Sequence, residues 1–490
     1  MNIQLNAGPA AALPVDTLIL GLYEDEKALS AAAKAIDAAF GGAVSNLLAL
    51  GDFKPELNET FPLYLQGEIK RLVLLGLGKR SESTLEKLRQ ATGSGVKAAR
   101  DLKGERVAIA GLEWADKAAL VQTVVEGAEL ALYTFNECRS TSETSGPSQL
   151  TLVLDAVTPE AEAALLKGQR IAEAVNWART LVNRPGNKLT ATNLATEATA
   201  MAIARGLSCR VFGKKELQAM GFGCLLGVNA GSTEPPAFIV VEYMGGKPGE
   251  KPYALVGKGL TFDAGGLCIK PAGGMEEMKS DMAGAAAVLG TIRALADLQV
   301  PINVVGCIAS TDNMPSASAY RPGDILKSYK GLTVEVIDTD AEGRIVLSDA
   351  LAYADKHYDP KVTIDLATLT GSIIVALGGH VTGLFSNDQA LSDGLYQSGQ
   401  TTGERVWPMP TWEVYADRAE SDIADLKNAD PRRGDAINAA KFLERFVGER
   451  PWAHLDIAGP SWLDADRPYE TKGGTGHGIR LLVDYLSRQV

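Results

Sequence analysis

Seven consecutive residues, DTDAEGR at 338–344, place three carboxylates and a guanidinium directly after the apolar, β-branched run 333–337. Successive side chains of an extended chain face opposite ways, so Asp338, Asp340 and Glu342 are expected on one side. Three like charges there call for a cation. Oxygen ligands favour a hard or borderline divalent ion such as Mg2+, Mn2+ or Zn2+, and Arg344 can hold an anion or a developing oxyanion. Taken alone, the run reads equally well as an acidic, solvated turn. A calcium loop is another reading, with Asp338, Asp340, Glu342, Gly343 and Asp349 at loop positions 1, 3, 5, 6 and 12. It fits poorly, because position 12 lacks the bidentate glutamate and the preceding run reads as a strand where that motif needs a helix.

A second cluster lies at VGKGLTFDAGGLCIKP (256–271), with MKSDMAG (278–284) close behind. Its glycines match neither nucleotide fingerprint, G-x-x-x-x-G-K-[ST] nor G-x-G-x-x-G. Lys258, Asp263, Lys270 and Asp281, joined to Asp340, Glu342 and Arg344, supply carboxylates enough for two cations. His357, His380, His454 and His477 form no ligand spacing and are expected to be structural.

These residues need elements to position them. At 490 residues the chain is too long for one core, so two unequal domains are expected. Apolar runs at 16–20, 71–75, 106–110 and 150–154 alternate with helical stretches, which predicts a smaller N-terminal α/β domain over 1–155. The polar stretch 139–146 signals its boundary. A long helix from Pro159 to about Val182, stopped by NRPGN (183–187), makes 156–187 a connector. Residues 188–490 again alternate, with strands at 238–241, 253–256, 302–305 and 362–365 and a helix near 284–298. That predicts a larger C-terminal α/β domain with a mixed central sheet carrying the two-metal site, and ligands in such sheets sit beyond the carboxyl ends of strands. A net charge of −12 argues against a broadly basic nucleic-acid surface. The N-terminus lacks a basic segment, no run is long enough to span a bilayer, and five scattered cysteines disfavour disulfides and a thiolate zinc site. A reducing cytoplasm fits best.

The two clusters together resemble the leucyl aminopeptidase family of cytosolic metallopeptidases. DTDAEGR is similar to the family signature NTDAEGR, and 258–284 to its metal and catalytic segment. DLATLTG (365–371), IADLKN (423–428), WAHLDIAG (452–459) and TGHGIR (475–480) extend the likeness across the larger domain in the family's order. The resemblance implies a two-metal aminopeptidase in which Asp263 and Glu342 bridge both ions, Lys258 and Asp281 complete one site, and Asp340 the other. Mn2+ or Zn2+ are the first expectations, with Mg2+ and Co2+ as alternatives. Lys258 coordinates only as the neutral amine, so its pKa must fall far below the usual 10.4 or so. Lys270 stays cationic and stabilises the oxyanion. Arg344 holds a bicarbonate that acts as general base. A free α-amine meets a metal and Asp281, which restricts substrates to peptides with a free N-terminus. Met278, Thr368 and Gly371 are candidates to line an apolar side-chain pocket suited to leucine. A homohexamer is also implied.

Two positions depart from the family pattern. Asp338 replaces its usual asparagine, adding charge beside the metals, and Cys268 stands where a small residue is common, a site for oxidants or soft metals. Two competing readings are a DNA-binding regulator, which needs a basic groove that the sequence does not announce, and a cysteinylglycine dipeptidase using the same chemistry.

Overall fold

The structure, a computed structural model, describes residues 1–26, 28–141, 146–430 and 433–490. Part of the boundary stretch 139–146 lies outside the described residues. The chain packs as two compact units, Met1–Glu173 with Ala465–Lys472, and Ala174–Asp464 with Gly473–Val490.

The first unit holds β1 (Asn2–Asn6), β2 (Thr17–Leu22), β3 (Thr60–Tyr64), β4 (Arg71–Gly76), β5 (Arg106–Ala110) and β6 (Gln149–Val153), in the order β1-β6-β5-β2-β4-β3. All pairs are parallel except β3 with β4. Its central strands β2, β4 and β5 are apolar at nearly every position because both faces are covered. Ile19, Val73, Val107 and Leu150 pack under α3 (Leu85–Asp101) and α4 (Lys117–Ala131). Leu18, Leu20, Leu72 and Ala108 face the other way, onto α1 (Ala31–Ala39) and α2 (Ala43–Leu50). The long helix α5 spans Pro159–Asn183, with proline at its first position and Pro185 just beyond its end, and straddles the two units.

The second unit begins with α6 (Ala191–Ile203), β7 (Ser208–Phe212), α7 (Lys214–Met220), α8 (Gly223–Asn229), β8 (Ala237–Met244) and β9 (Tyr253–Asp263). There follow α9 (Ala283–Asp297), β10 (Asn303–Asn313), β11 (Ile325–Lys327), β12 (Thr333–Glu335), α10 (Glu342–Tyr358) and β13 (Val362–Ala367). Further along the chain come β14 (Thr382–Ser386), β15 (Val406–Pro408), β16 (Leu426–Lys427) and β17 (Trp452–Asp456). Eight strands form a mixed sheet, β15-β14-β17-β13-β9-β10-β8-β7, as expected from the sequence. Its centre, β17-β13-β9-β10, is parallel. One face packs on α10 through Val256, Ala309, Ile345 and Leu347. The strand before the acidic run, β12, belongs instead to a small sheet, β11-β12-β16.

Candidate metal centre

Asp263 ends β9, Asn313 ends β10 and Thr368 directly follows β13, so the site sits at the carboxyl ends of three adjacent parallel strands. Lys258 and Asp263 are five residues apart and in a regular strand would point to opposite faces. A bulge resolves this. Leu260 pairs with Thr311 but Asp263 with Asn313, so β9 carries one extra residue and Asp263 turns to the side of Lys258. Gly265 and Gly266 then adopt positive φ, and the Thr339 hydroxyl donates to Gly265 O (2.6 Å) while accepting from Cys268 N (2.8 Å).

The acidic run does not form an alternating strand. Pairing ends at Glu335, residues 339–340 turn, and α10 starts at Glu342, so turn and helix geometry brings Asp340 and Glu342 together. Asp338 is spent on the turn, where its Oδ1 accepts from Asp340 N (2.8 Å). One oxygen each of Asp263, Asp340 and Glu342 lies within 4.8 Å of the others. Lys258 adjoins them. Its Nζ is 2.8 Å from Asp281, 2.9 Å from Glu342, and donates to Thr368 O (2.9 Å). Lys270 Nζ lies 2.9 Å from Asp263 and 2.6 Å from Asp340.

Four carboxylates against two ammonium groups leave two negative charges in a mostly buried pocket. Burial, and then repulsion from Asp263, holds Glu342 and Asp340 well above the carboxylate range, and burial does the same for Asp281. Asp281 Oδ2, Asp340 Oδ1 and Glu342 Oε1 are within ion-pair reach of an ammonium yet accept no well-directed hydrogen bond, and Glu342 Oε2 is buried without a hydrogen-bond partner. Crowded, under-satisfied carboxylate oxygens are the donor set that hard and borderline divalent cations take, so the residues fit metal ions. Lys258 is buried among these carboxylates. Burial disfavours its charge, but Asp281, Glu342 and Asp263 outweigh that and hold its pKa above the lysine range. Burial also disfavours the Lys270 charge, and Asp263 leads the carboxylates that keep it cationic.

Arg344 is buried, donating from Nη1 to Asn428 O (2.9 Å) and from Nη2 to Asp435 (3.0 Å), while its Nε has no hydrogen-bond partner. Thr368 holds the Asp281 carboxylate in place, its hydroxyl donating to it (2.6 Å). Met278 is half-buried three residues before Asp281, and Gly371 opens onto free space. His454 pairs with Asp365, His477 with Thr382 and His357 with Tyr329. Asn313 escaped the sequence reading. Its Nδ2 donates to Asp263 Oδ1 and to Thr339 O (both 2.9 Å), joining the two acidic segments. Only the β9–β10 pairing reveals it.

A carboxylate and lysine cluster suited to divalent cations, set at the strand ends of a mixed α/β sheet, points to metal-dependent chemistry. The chain belongs to the cytosol aminopeptidase family, whose catalytic domain matches residues 176–483 and whose N-terminal domain matches residues 19–142. It is 42% identical to a probable cytosol aminopeptidase of Geobacter sp. (strain M21) over the full length of both chains. Among solved structures it is similar to a tomato leucine aminopeptidase mutant, with TM-score 0.91 and 33% identity over 100% of this chain and 96% of that one. It is also similar to the bottromycin maturation enzyme BotP in complex with Mn, with TM-score 0.86 and 32% identity over 97% and 99%. The protein is a metal-dependent aminopeptidase. Among the described residues, no helix is long and apolar enough to cross a membrane.

Proposed function

We propose that this aminopeptidase removes leucine and other apolar residues from peptides with a free N-terminus, using two divalent cations. The observation that carries the reading is the convergence of Asp263, Asp340 and Glu342 within 4.8 Å, with Lys258 and Asp281 adjoining. Asp263 and Glu342 would hold both cations, Lys258 and Asp281 would help to hold one of them, and Asp340 the other. Bound there, the cations supply Lewis-acid polarisation of a carbonyl and acidify water. Lys258 would hold a cation only as the neutral amine, its proton released to water. Lys270 keeps its proton and directs it at the oxygen that becomes negative as the peptide carbonyl is attacked.

Asp281 receives the free α-amine, which an acylated terminus cannot offer. Arg344 holds bicarbonate as the general base, and its unpartnered Nε supports that role. Met278, Thr368 and Gly371 line the side-chain pocket, and the open space at Gly371, with nothing within 4 Å of a Cβ there, supports this. Mn2+ or Zn2+ fit the mixed oxygen and nitrogen donors, and the BotP likeness, a Mn complex, supports the former. A cytoplasmic homohexamer completes the reading.

The test is release from Leu-p-nitroanilide and its N-acetylated counterpart by stripped protein before and after adding Mn2+ or Zn2+. Metal-dependent cleavage of the free-amine substrate alone is expected. Equal cleavage of both overturns the exopeptidase reading.

A further inference from the structure

In the first unit, β2 leads to α1 and α2 on one face of the sheet, while its neighbours β4 and β5 lead to α3 and α4 on the other. Adjacent parallel strands whose connections depart to opposite faces leave a crevice at their carboxyl ends, where open α/β sheets bind ligands. A cavity of about 630 Å³ lies there. Tyr23 follows β2, Arg80 follows β4, Glu113, Trp114 and Lys117 follow β5, and Asp155 follows β6. The walls are fixed to one another. Glu24 N donates to Gly78 O (2.9 Å), and Asp25 accepts from Arg80 N (2.7 Å).

The lining is charged but balanced. Arg80 pairs with Glu113 and Glu26 and lies 4.9 Å above the Tyr23 ring, and Lys117 is 3.3 Å from Asp155. A phosphate would face the carboxylates of Glu113 and Asp155, and a simple cation would face Arg80 and Lys117. A zwitterion meets both signs at once, carboxylate to the cations and ammonium to the acids. Trp114 offers an apolar surface, and Asp155 also borders a second cavity of about 600 Å³ lined chiefly by alanines and by Ile36 and Val153. That gives an apolar side chain somewhere to go.

We propose that this crevice is a second ligand site, separate from the metal centre, for zwitterionic amino acids or short peptides with both termini free. The ion pairs that line it are exposed and individually weak, so a ligand can exchange into them at little cost. The aminopeptidase reaction releases such molecules, and an occupied crevice would register their accumulation.

Equilibrium dialysis of the metal-loaded full-length protein against radiolabelled leucine tests this. Two leucines per chain are expected. A Lys117→Ala/Asp155→Ala double variant and a separate Trp114→Ala variant should each weaken one site at least tenfold while hydrolysis at low product concentration is unchanged. Trp114→Phe keeps a ring and should retain the second leucine. The proposal is overturned by one leucine per chain, or by a second site that neither variant weakens. Equal competition by N-acetylleucine amide, which carries neither charge, or saturable binding of AMP in place of leucine, also overturns it.

Discussion

Replacing Gly343 by alanine tests whether the DTDAEGR segment works through the position of Lys258. A Cβ at 343 would stand 2.6 Å from Lys258 Cε, 2.7 Å from Nζ and 3.0 Å from Leu369 Cδ1. Ordinary contact between such atoms begins near 3.5 Å, so the lysine end must retreat by about 1 Å. It has nowhere to go without loss, because it is buried and its Nζ sits 2.9 Å from both Asp281 Oδ1 and Glu342. Two effects on stability oppose each other. Alanine is favoured over glycine in a helix by at most about 1 kcal/mol, and overpacking costs about 1–3 kcal/mol. The net, about 3 kcal/mol or less, leaves a domain of ordinary stability folded. A displacement of about 1 Å at a reacting centre costs on the order of 100-fold in rate. The assay is kcat/KM on Leu-p-nitroanilide at saturating Mn2+, with bound metal counted and the melting temperature recorded. A drop near 100-fold with the fold intact is expected. Activity within about threefold of the parent at full metal content would refute the reasoning. Gly371→Ala is the control, since nothing lies within 4 Å of its Cβ, and it should change KM for bulky side chains alone.

Lys270→Ala should lower kcat by about 100- to 1,000-fold with little change in KM, the usual loss for one oxyanion donor, and unchanged kcat would remove that role. Stripping the metal should abolish hydrolysis and lower the melting temperature. Restoring an ion at 100 times its Kd should return about 2.7 kcal/mol, visible in a thermal scan, and an unaltered scan would contradict the fit of the carboxylate cluster. Burial pushes Asp349 up to about 7 although it accepts N–H groups from Cys224, Leu225 and Tyr329. Its folded pKa exceeds the unfolded value of about 3.9, so its stabilising contribution is complete below about pH 4 and is lost as pH rises through 7. The stability of the parent minus that of Asp349→Asn should therefore fall between pH 5 and pH 8 in denaturant titrations, and a flat difference would mean the carboxylate is already ionised at pH 5.

The reactive residues were legible because their types are unusual for their setting, whereas their geometry was not. Alternation along a strand groups Asp338, Asp340 and Glu342, yet the chain turns and enters α10, and Asp338 is consumed in holding the turn. Alternation also separates Lys258 from Asp263, yet a single extra residue in β9 reunites them. Both departures from alternation have one source. Local periodicity assumes an uninterrupted element, and active sites in α/β sheets are built where elements end. The bulge is defined by pairing with β10, some fifty residues away, and no window of sequence contains both partners. The strands themselves were easier, since 17–22, 71–76 and 106–110 are buried on both faces and need only a continuous apolar run.

The same reasoning explains why Asn313 and Thr339 were invisible while the carboxylates were not. Neither has a charge to declare a function, and their effect lies in where they hold others. Asn313 spans Asp263 and Thr339 O, and the Thr339 hydroxyl ties down Gly265 and Cys268. These neutral groups can sit at the centre of the acidic cluster without adding to its repulsion, which charged positioning residues could not do. Burial, joined by repulsion from Asp263, already holds the pKa values of Asp281, Asp340 and Glu342 above the carboxylate range. The site thus keeps its charge for the cations and builds its scaffold from amides and hydroxyls, so a change of Asn313 to Asp should weaken the scaffold through the same repulsion that draws metal in.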